Sequence, residues 1–386
     1  MAATYPLATR LIKELAFGDV HWMISGDSMP RHDGLLSLLA RFLPTPRLRP
    51  GATGRARRPV KRIVVFGRHP NPSSDYYFAA RLAAEGMPPH AFVDVRERDL
   101  SSLDADGTFV VICRYASASV LDWIEAEYSR LAGVGLFLDD DIPAVITGRD
   151  APLAYRFLLF LRALRPLRRL NRHLDITWAS TPQLADRLAP AGARVLLPAP
   201  PEGLWNGSDR TQNATRGTVL IAYHATGVHV EEHRFLKPII QEVLALRPGT
   251  EFEVFGSPKV ENVWRGMERV TLRRPVSWTE YLGEMLATHI DIMLVPLAPS
   301  SVNDCRSPTK RIDVARAGAA GVFSISPAYG PPDADAEILL PYDRVVWRDA
   351  ILTLIDDPVR RAAAAAATRA RVAAMTRAAS EGLDLS

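Results

Sequence analysis

The stretch that decides the fold is Ile290–Ser324, which reads IDIMLVPLAPSSVNDCRSPTKRIDVARAGAAGVFS. Its first part, Ile290–Pro296, is an apolar run of strand length. A polar, turn-rich loop follows, and Ser307-Pro308 then predicts a helix with a capping serine and a proline at its first position. Gly321–Ser324 returns to strand composition. The stretch therefore predicts a strand–loop–helix–strand unit of a parallel sheet.

The start of the predicted helix has the chemistry of an anion site. A helix N-terminus presents unpaired N–H groups and a partial positive charge, which suit a phosphate group. Arg306 and Lys310 add two cations beside it, and Asp313 lies one turn further on, where a carboxylate can accept a hydrogen bond from a hydroxyl such as that of ribose. The same residues also fit an ordinary strand–loop–helix unit with a good cap, and the local pattern favours neither interpretation.

Composition and charge exclude several classes of protein. The 386-residue chain has 47% hydrophobic and 23% charged residues, which is typical of a globular protein long enough for two domains. Its net charge of +4 is too small to indicate nucleic-acid binding. We find no apolar run of the roughly 18 residues that span a membrane, and no signal-peptide pattern. Cys113 and Cys305 lie far apart without metal-ligand spacing, so we expect a reducing, cytoplasmic location.

Strand and helix patterns alternate along the rest of the chain. The first clear strand, Lys61–Gly67, lacks the three-glycine dinucleotide fingerprint, so an NAD site is not expected there. A proline-rich break after Leu197 separates two arrays of similar size. We therefore predict an α/β protein of two tandem Rossmann-like, doubly wound parallel-sheet domains facing across a cleft. The predicted divisions are an N-terminal extension and linker at 1–60, a first domain at 61–200, a linker at 201–216, a second domain at 217–357 and a closing helix at 358–386.

Ligands of such sheets bind at the C-terminal ends of strands. The loops predicted at these ends contain His69, Asp139, Gly227 and Ser307. Three carboxylates, Asp139–Asp141, directly follow the predicted strand Val134–Leu138. They fit a divalent metal site, since hard cations prefer carboxylate oxygens, or a substrate contact through a general base or a sugar hydroxyl. They also fit a solvated strand end at which Asp141 caps a turn, and the sequence leaves all three open.

Two segments are rich in arginine. Tyr155–Arg172 is predicted as a helix with an apolar face and six arginines, which Pro166 divides into two pieces. It fits a packed helix with a solvated basic side, and it also fits peripheral contact with an anionic membrane surface. Pro44–Arg58 carries prolines, glycines and arginines without periodicity, which predicts a flexible linker with solvated arginines.

Four segments, taken in order, resemble motifs of one enzyme group. FLDDDIPA at Phe137–Ala144 resembles a D-x-D-D strand end, and WASTPQLADRL at Trp178–Leu188 resembles a v-S-T-x-x-L unit. ATGVHVEEH at Ala225–His233 resembles a G-x-x-x-H-x-x-D loop, and the stretch quoted first resembles the region around a donor-site lysine. These are motifs of the retaining, glycogen-synthase-like (family 4 type) GT-B glycosyltransferases, and the resemblance covers about 61–328.

The resemblance implies a nucleotide-sugar donor on the second domain and a glycan or lipid-linked acceptor on the first. Lys310 falls on the lysine near the donor pyrophosphate, and Asp313 falls where a glutamate usually binds the donor ribose. The first glutamate of the family's acidic pair would fall near Cys305, where it is absent. The implied catalytic residues are Lys310, Arg306 and Asp140, the implied donor contacts are Gly227, His229, Asn303, Ser307, Lys310 and Asp313, and the implied acceptor contacts are Arg68, His69, Asp139 and Asp141.

The activity that the resemblance implies is sugar transfer in bacterial polysaccharide or glycoconjugate synthesis, with retention of configuration. Proteins of this fold usually need no bound metal, so neither a metal nor another cofactor is expected. Two other functions stay open at this point: a nucleotide-sugar epimerase or hydrolase on the same scaffold, and an inactive nucleotide-sugar-binding partner protein, which the absent glutamate permits.

Overall fold

A computed structural model describes residues 43–148, 151–206, 217–225, 229–256, 258–330 and 337–385. Within them, two six-stranded parallel sheets have the strand orders β2-β1-β3-β4-β5-β6 and β12-β11-β10-β7-β8-β9. The first sheet contains β1 (Arg62–Gly67), β2 (His90–Asp94), β3 (Thr108–Cys113), β4 (Gly133–Leu138), β5 (Ile176–Ala179) and β6 (Arg194–Val195). The second contains β7 (Val219–Tyr223), β8 (Thr250–Phe255), β9 (Val270–Arg273), β10 (Ile292–Val295), β11 (Ala320–Ser324) and β12 (Ile338–Leu340). The predicted α/β architecture of two parallel sheets is confirmed.

Helices connect the strands and cover the sheets. In the first half they are α1 (72–82, π-helical at Asp75–Ala79), α2 (Ala118–Glu127), α3 (Ile142–Thr147), α4 (Leu153–Leu159, continued by a π-helical turn at Phe160–Leu164), α5 (Leu167–Leu170) and α6 (Pro182–Arg187). In the second half they are α7 (Val230–Leu246), α8 (Pro258–Trp264), α9 (Trp278–Ala287), α10 (Lys310–Ala317), α11 (Arg344–Asp356) and α12 (Pro358–Arg377). The sequence patterns did not predict α3 and α8, which are short.

Alternating side chains of the first sheet enter two separate cores. Val64 and Val110 pack with α2 on one face, whereas Ile63 and Val111 pack with the tyrosines of α1 on the other. Because helices cover both faces, all residues of β3 and β4 are buried and their sequences are continuous apolar runs. Because the strands are buried on both faces, their C-terminal ends are held along one edge of the sheet. The loops of the site extend from that edge.

The segment before β1 is bound to the first domain, unlike the solvated linker that the sequence predicts. Arg49 and Arg57 form ion pairs with the fully buried Asp175, at N–O distances of 2.7 and 3.2 Å. The same carboxylate accepts a hydrogen bond from the Val134 backbone N–H at 3.0 Å. A buried charge needs such partners, and an arginine-rich segment without periodicity can supply them from outside any helix or strand.

The arginine-rich segment Tyr155–Arg172 is divided as Pro166 predicts, with α5 following a break. Its arginines differ in environment. Arg156 is buried and its guanidinium donates to the Ile146 carbonyl. Others remain exposed on the outer side. Among the described residues, no helix has the length and hydropathy needed to cross a membrane.

The last long helix, α12, contacts both domains. Ala364 belongs to the core of the second sheet, whereas Val372 packs into a core of the first sheet. Near the end of the helix, the Thr376 hydroxyl accepts from the Trp205 indole N–H at 2.8 Å and donates to the Pro200 carbonyl at 3.0 Å. The helix therefore begins on one domain and ends on the other.

Candidate functional site

A cavity of about 300 Å³ lies between the C-terminal ends of the two sets of strands. The first domain contributes the start of α1, the ends of β3 and β4, and part of α4. The second domain contributes the ends of β7 and β10 and the start of α10. Six residues predicted from the sequence line this cavity, namely Asp139, Asp140, His229, Arg306, Ser307 and Lys310.

Arg114 organises the two carboxylates of the first-domain wall. It follows β3 directly, and its backbone is left-handed, with φ of 67°. Such a conformation costs free energy for a residue with a side chain, and it persists only where the surrounding structure holds it. Its guanidinium pairs with Asp139 at 2.8 Å and with Asp140 at 2.6 Å. The strained backbone thus places one cation between two adjacent carboxylates.

The two carboxylates differ in their other partners. The Ser73 hydroxyl donates to Asp139 at 2.6 Å, and Arg306 of the second domain pairs with Asp140. Burial raises the pKa of Asp139, and the neighbouring charge of Asp140 adds to that rise. Burial acts in the same direction on Asp140, but Arg306 and Arg114 outweigh it and hold the pKa of that carboxyl below its usual value. Asp140 is therefore firmly ionised and joins the two domains.

Asp141 points elsewhere. Its carboxylate caps α3 by accepting from the Ala144 N–H at 3.0 Å, and it pairs with Arg187 at 3.2 Å. The three consecutive aspartates therefore do not converge on one point. Among the residues that the structure describes, no group of three or more His, Cys, Asp or Glu side chains is arranged to hold a metal ion.

Lys310 reaches the cavity from the second domain, and Asp313 lies beneath it. The Lys310 ammonium donates to Asp313 at 2.9 Å. The other carboxylate oxygen accepts from Arg316 at 2.9 Å and from the Tyr76 hydroxyl of the first domain at 2.6 Å. Burial alone would raise the pKa of Asp313, but Lys310, Arg316 and Tyr76 lower it to about 2. Both oxygens of Asp313 accept hydrogen bonds, and the residue does not line the cavity. It could contact a donor ribose only if one of its partners moved away. Its donor-binding role therefore stays a prediction.

Ser307 does not cap α10, contrary to the prediction from Ser307-Pro308. The helix begins at Lys310, and its N-cap residue Thr309 makes no side-chain capping bond. The Ser307 hydroxyl instead accepts from the Tyr77 hydroxyl of the first domain. A serine–proline pair is a common helix start, but here the serine hydroxyl faces the cleft and finds its partner across it.

His229 and Asn303 surround Glu232 at the start of α7. The His229 ring lies 3.6 Å from the Glu232 carboxylate, which also accepts from the Asn303 amide at 3.1 Å and from the Ala298 N–H at 3.2 Å. Burial opposes ionisation of Glu232, yet the bond from His229 lowers its pKa to about 2. Asn303 thus holds the loop after β10 against α7, and it lines a second, adjoining cavity rather than the central one.

The remaining predicted residues do not line the central cavity. Arg68 and His69 lie on the loop after β1, where the His69 ring stacks on Phe92 at a centroid distance of 5.1 Å. Gly227 falls outside the described residues. The loop that bears Cys305 extends to the first domain. The Cys305 side chain is buried in a core of that domain, and the Cys305 carbonyl accepts a hydrogen bond from the Thr181 hydroxyl at 3.3 Å. Cys305 itself carries no carboxylate, and the neighbouring Asp304 does not line the central cavity.

Four functional candidates were not singled out from the sequence. Arg114, Tyr76 and Tyr77 line the first-domain wall, and His224 lines the second. The two ring nitrogens of His224 lie 3.2 Å from the Tyr281 hydroxyl and 3.0 Å from Glu253. Their common signal is position, because Arg114 and His224 each directly follow a predicted strand. The tyrosines lie inside a helix, where no periodicity distinguishes them from core residues.

No family model and no curated protein sequence matches the chain. Solved structures do match. HepE of Anabaena in complex with UDP and glucose has a TM-score of 0.51 at 12% identity, over 83% of this chain and 98% of that one. MnaA of S. aureus with UDP has a TM-score of 0.43 at 12% identity, over 79% and 91% of the two chains.

TarM of S. aureus, in a complex that contains UDP, has a TM-score of 0.48 at 8% identity. The match covers 73% of this chain and 56% of TarM, so the chain spans about half the length of that protein. At these identities the matches concern the fold alone. The chain has the two-domain GT-B fold, with a parallel sheet in each domain and a cleft between them.

Proposed function

We propose that the chain is a glycosyltransferase that moves a sugar from a nucleotide-sugar donor to a glycan or lipid-linked acceptor. The proposal rests on one observation: Arg306 and Lys310 of one domain and Asp139 and Asp140 of the other line the same cavity. UDP is the first donor nucleotide to test, since HepE, which shares the fold, was crystallised with UDP and glucose. Polysaccharide or glycoconjugate synthesis is the proposed context.

The donor diphosphate is proposed to lie against Arg306, Lys310 and the start of α10. Cleavage of the sugar–phosphate bond leaves negative charge on the nucleoside diphosphate, and fixed cations stabilise that charge in a site shielded from water. Retention of configuration and independence of a metal are parts of the proposal that come from the family resemblance. The diphosphate charge is then compensated by protein groups alone.

The ion pairs in the cavity allow both cations to turn toward a phosphate. When Lys310 leaves Asp313, that carboxylate keeps Arg316 and Tyr76. When Arg306 leaves Asp140, that carboxylate keeps Arg114. Neither movement strands a buried charge, which would otherwise cost several kcal/mol. The acceptor hydroxyl is proposed to approach from the opposite wall, at Asp139 and Asp140.

The test is titration calorimetry of the full chain with UDP, other nucleoside diphosphates and their sugars. Lys310→Ala is expected to weaken the binding of the cognate nucleotide at least tenfold, since a hydrogen bond to a charged group is worth about 1.5–3 kcal/mol. Lys61→Ala, which removes a lysine that is 60% exposed and distant from the cavity, is the matched control and should leave affinity unchanged. Equal affinity of the two variants would contradict the donor assignment.

A second candidate is a nucleotide-sugar-binding protein without transferase activity. The observation that favours it is the burial of Cys305, which places no carboxylate where the family has a glutamate. Chromatography of the products formed from a labelled nucleotide sugar separates the candidates. A labelled acceptor indicates transfer, a free sugar indicates hydrolysis, an altered sugar nucleotide indicates epimerisation, and binding without product supports the inactive protein.

A further inference from the structure

The outer side of α4 and the turns after it present apolar and cationic side chains together. Leu153 and Phe157, one helical turn apart, are 52% and 48% exposed. Arg165 and Arg168 follow along the chain, and both are exposed. Within the described ranges, no carboxylate pairs with either guanidinium. We call these four residues the outer face.

Two other arginines of the segment differ from those of the outer face, because one is paired and the other is buried. Arg169 pairs with Asp122 and Glu125 at 2.6 and 2.7 Å, so its charge is neutralised locally. Arg156 is buried inside the domain. Only part of the basic segment therefore offers exposed charge, and that part follows the helix that carries the exposed apolar pair.

The positive charge continues beyond the outer face. Arg162 is half-buried, and its pKa is lowered first by burial and then by the nearby charge of Arg68. Arg68 belongs to the loop after β1, so cations from two elements lie close together, with the Asp94 carboxylate acting on Arg162 in the opposite direction. Cations placed together in this way favour an anionic surface.

We propose that the outer face docks on a bilayer that contains anionic lipids. Leu153 and Phe157 would enter the boundary between headgroups and acyl chains, while Arg165 and Arg168 meet the lipid phosphates, as in helices that lie in a membrane interface. A bilayer provides the apolar and the anionic component side by side in one plane. Docking would place the first-domain wall of the cavity beside the membrane, because Tyr155 and Leu159 on the same helix line that wall.

The test is co-sedimentation of the full chain with vesicles of phosphatidylcholine alone and of phosphatidylcholine mixed with phosphatidylglycerol, at low and high salt. Binding is expected only to the anionic vesicles and is expected to fall with salt. Arg165→Gln with Arg168→Gln should weaken it by about fivefold for each arginine, from about 1 kcal/mol per basic residue near the surface. Leu153→Ser with Phe157→Ser should weaken it at least tenfold and leave the salt dependence in place.

Two controls make equal changes on the second domain. Val345→Ser with Val346→Ser alters residues that are 54% and 38% exposed, and Arg344→Gln with Arg360→Gln removes two exposed charges. Both should bind like the parent chain. The proposal fails if the parent chain does not bind anionic vesicles at low salt, or if the controls lose as much binding as the outer-face variants. Because vesicle binding needs no sugar nucleotide, either result leaves the transferase proposal untouched.

Discussion

Asp140 and Asp313 join the domains from opposite sides of the cleft, and they are held in different ways. Asp140 extends from the first domain to Arg306, and its side chain is 15% exposed at the cavity wall. Asp313 extends from the second domain to Tyr76, and its side chain is 8% exposed beneath Lys310. Water therefore reaches Asp140 more readily than Asp313 when a partner is lost. The difference suggests that one contact serves the cavity and the other serves the stability of the closed arrangement.

The largest effect is expected from Asp313→Asn. The substitution leaves Arg316, a guanidinium that is 3% exposed, without its carboxylate. Removing one partner of a buried ion pair costs about 3–5 kcal/mol in the free energy of unfolding. Urea unfolding followed by tryptophan fluorescence measures it.

Asp140→Asn is the matched comparison for that variant. Because the Asp140 side chain is 15% exposed against 8% for Asp313, we expect Asp140→Asn to cost less in the free energy of unfolding than Asp313→Asn. Equal losses in the two variants would remove the distinction between the two contacts.

The stability of the folded chain is expected to depend on pH through Asp313 and Asp139, with opposite signs. The pKa of Asp313 is lowered from 3.8 to about 2 in the folded chain, so its contribution is present in full above about pH 5 and is lost as the pH falls through about 2. The size of this contribution is about 2 kcal/mol. The difference in unfolding free energy between the parent chain and Asp313→Asn should therefore shrink by about that amount between pH 6 and pH 2.

Asp139 should show the opposite sign. Its folded pKa is raised, so its ionisation weakens the folded state as the pH rises above the ordinary value of 3.8. Asp139→Asn should then compare more favourably with the parent chain at neutral pH than in acid. A pH-independent difference in both variants would show that neither pKa is shifted on folding.

The smallest expected effect separates two adjacent tyrosines that both cross the cleft. Tyr76→Phe removes a hydrogen bond to a carboxylate, worth about 1.5–3 kcal/mol, whereas Tyr77→Phe removes one to the Ser307 hydroxyl, worth about 0.5–1.5 kcal/mol. Both rings are buried and both changes keep the ring. Tyr76→Phe should be the less stable variant by about 1 kcal/mol in urea unfolding. A larger loss in Tyr77→Phe would place the main contact between the domains at Ser307.

Local patterns were enough to predict the two sheets but not the contacts between them. The strand before Asp139 could be predicted because a fully buried strand is a continuous apolar run. Tyr76 and Asp313 are 237 positions apart, and nothing in either neighbourhood indicates the other.

The site was predictable to the same extent. Asp139, Asp140 and Lys310 were found because they directly follow strands or begin a helix, where ligands of parallel sheets bind. Ser307 was assigned a capping role because a serine–proline pair is a local signal, and the competing partner Tyr77 lies on the other domain. The sequence did not indicate the role of Arg114, because a left-handed backbone is expected from a glycine or asparagine and not from an arginine.

The course of α12 has a consequence for how the chain can be divided. The second domain is an insertion in the first, since Trp205 before it and Val372 after it pack in the same core. A fragment cut between the sheets would therefore lose part of the first domain's core together with the second sheet. Cleavage of the chain after residue 206 should therefore leave two pieces that stay associated, since α12 returns from the second piece to the core of the first.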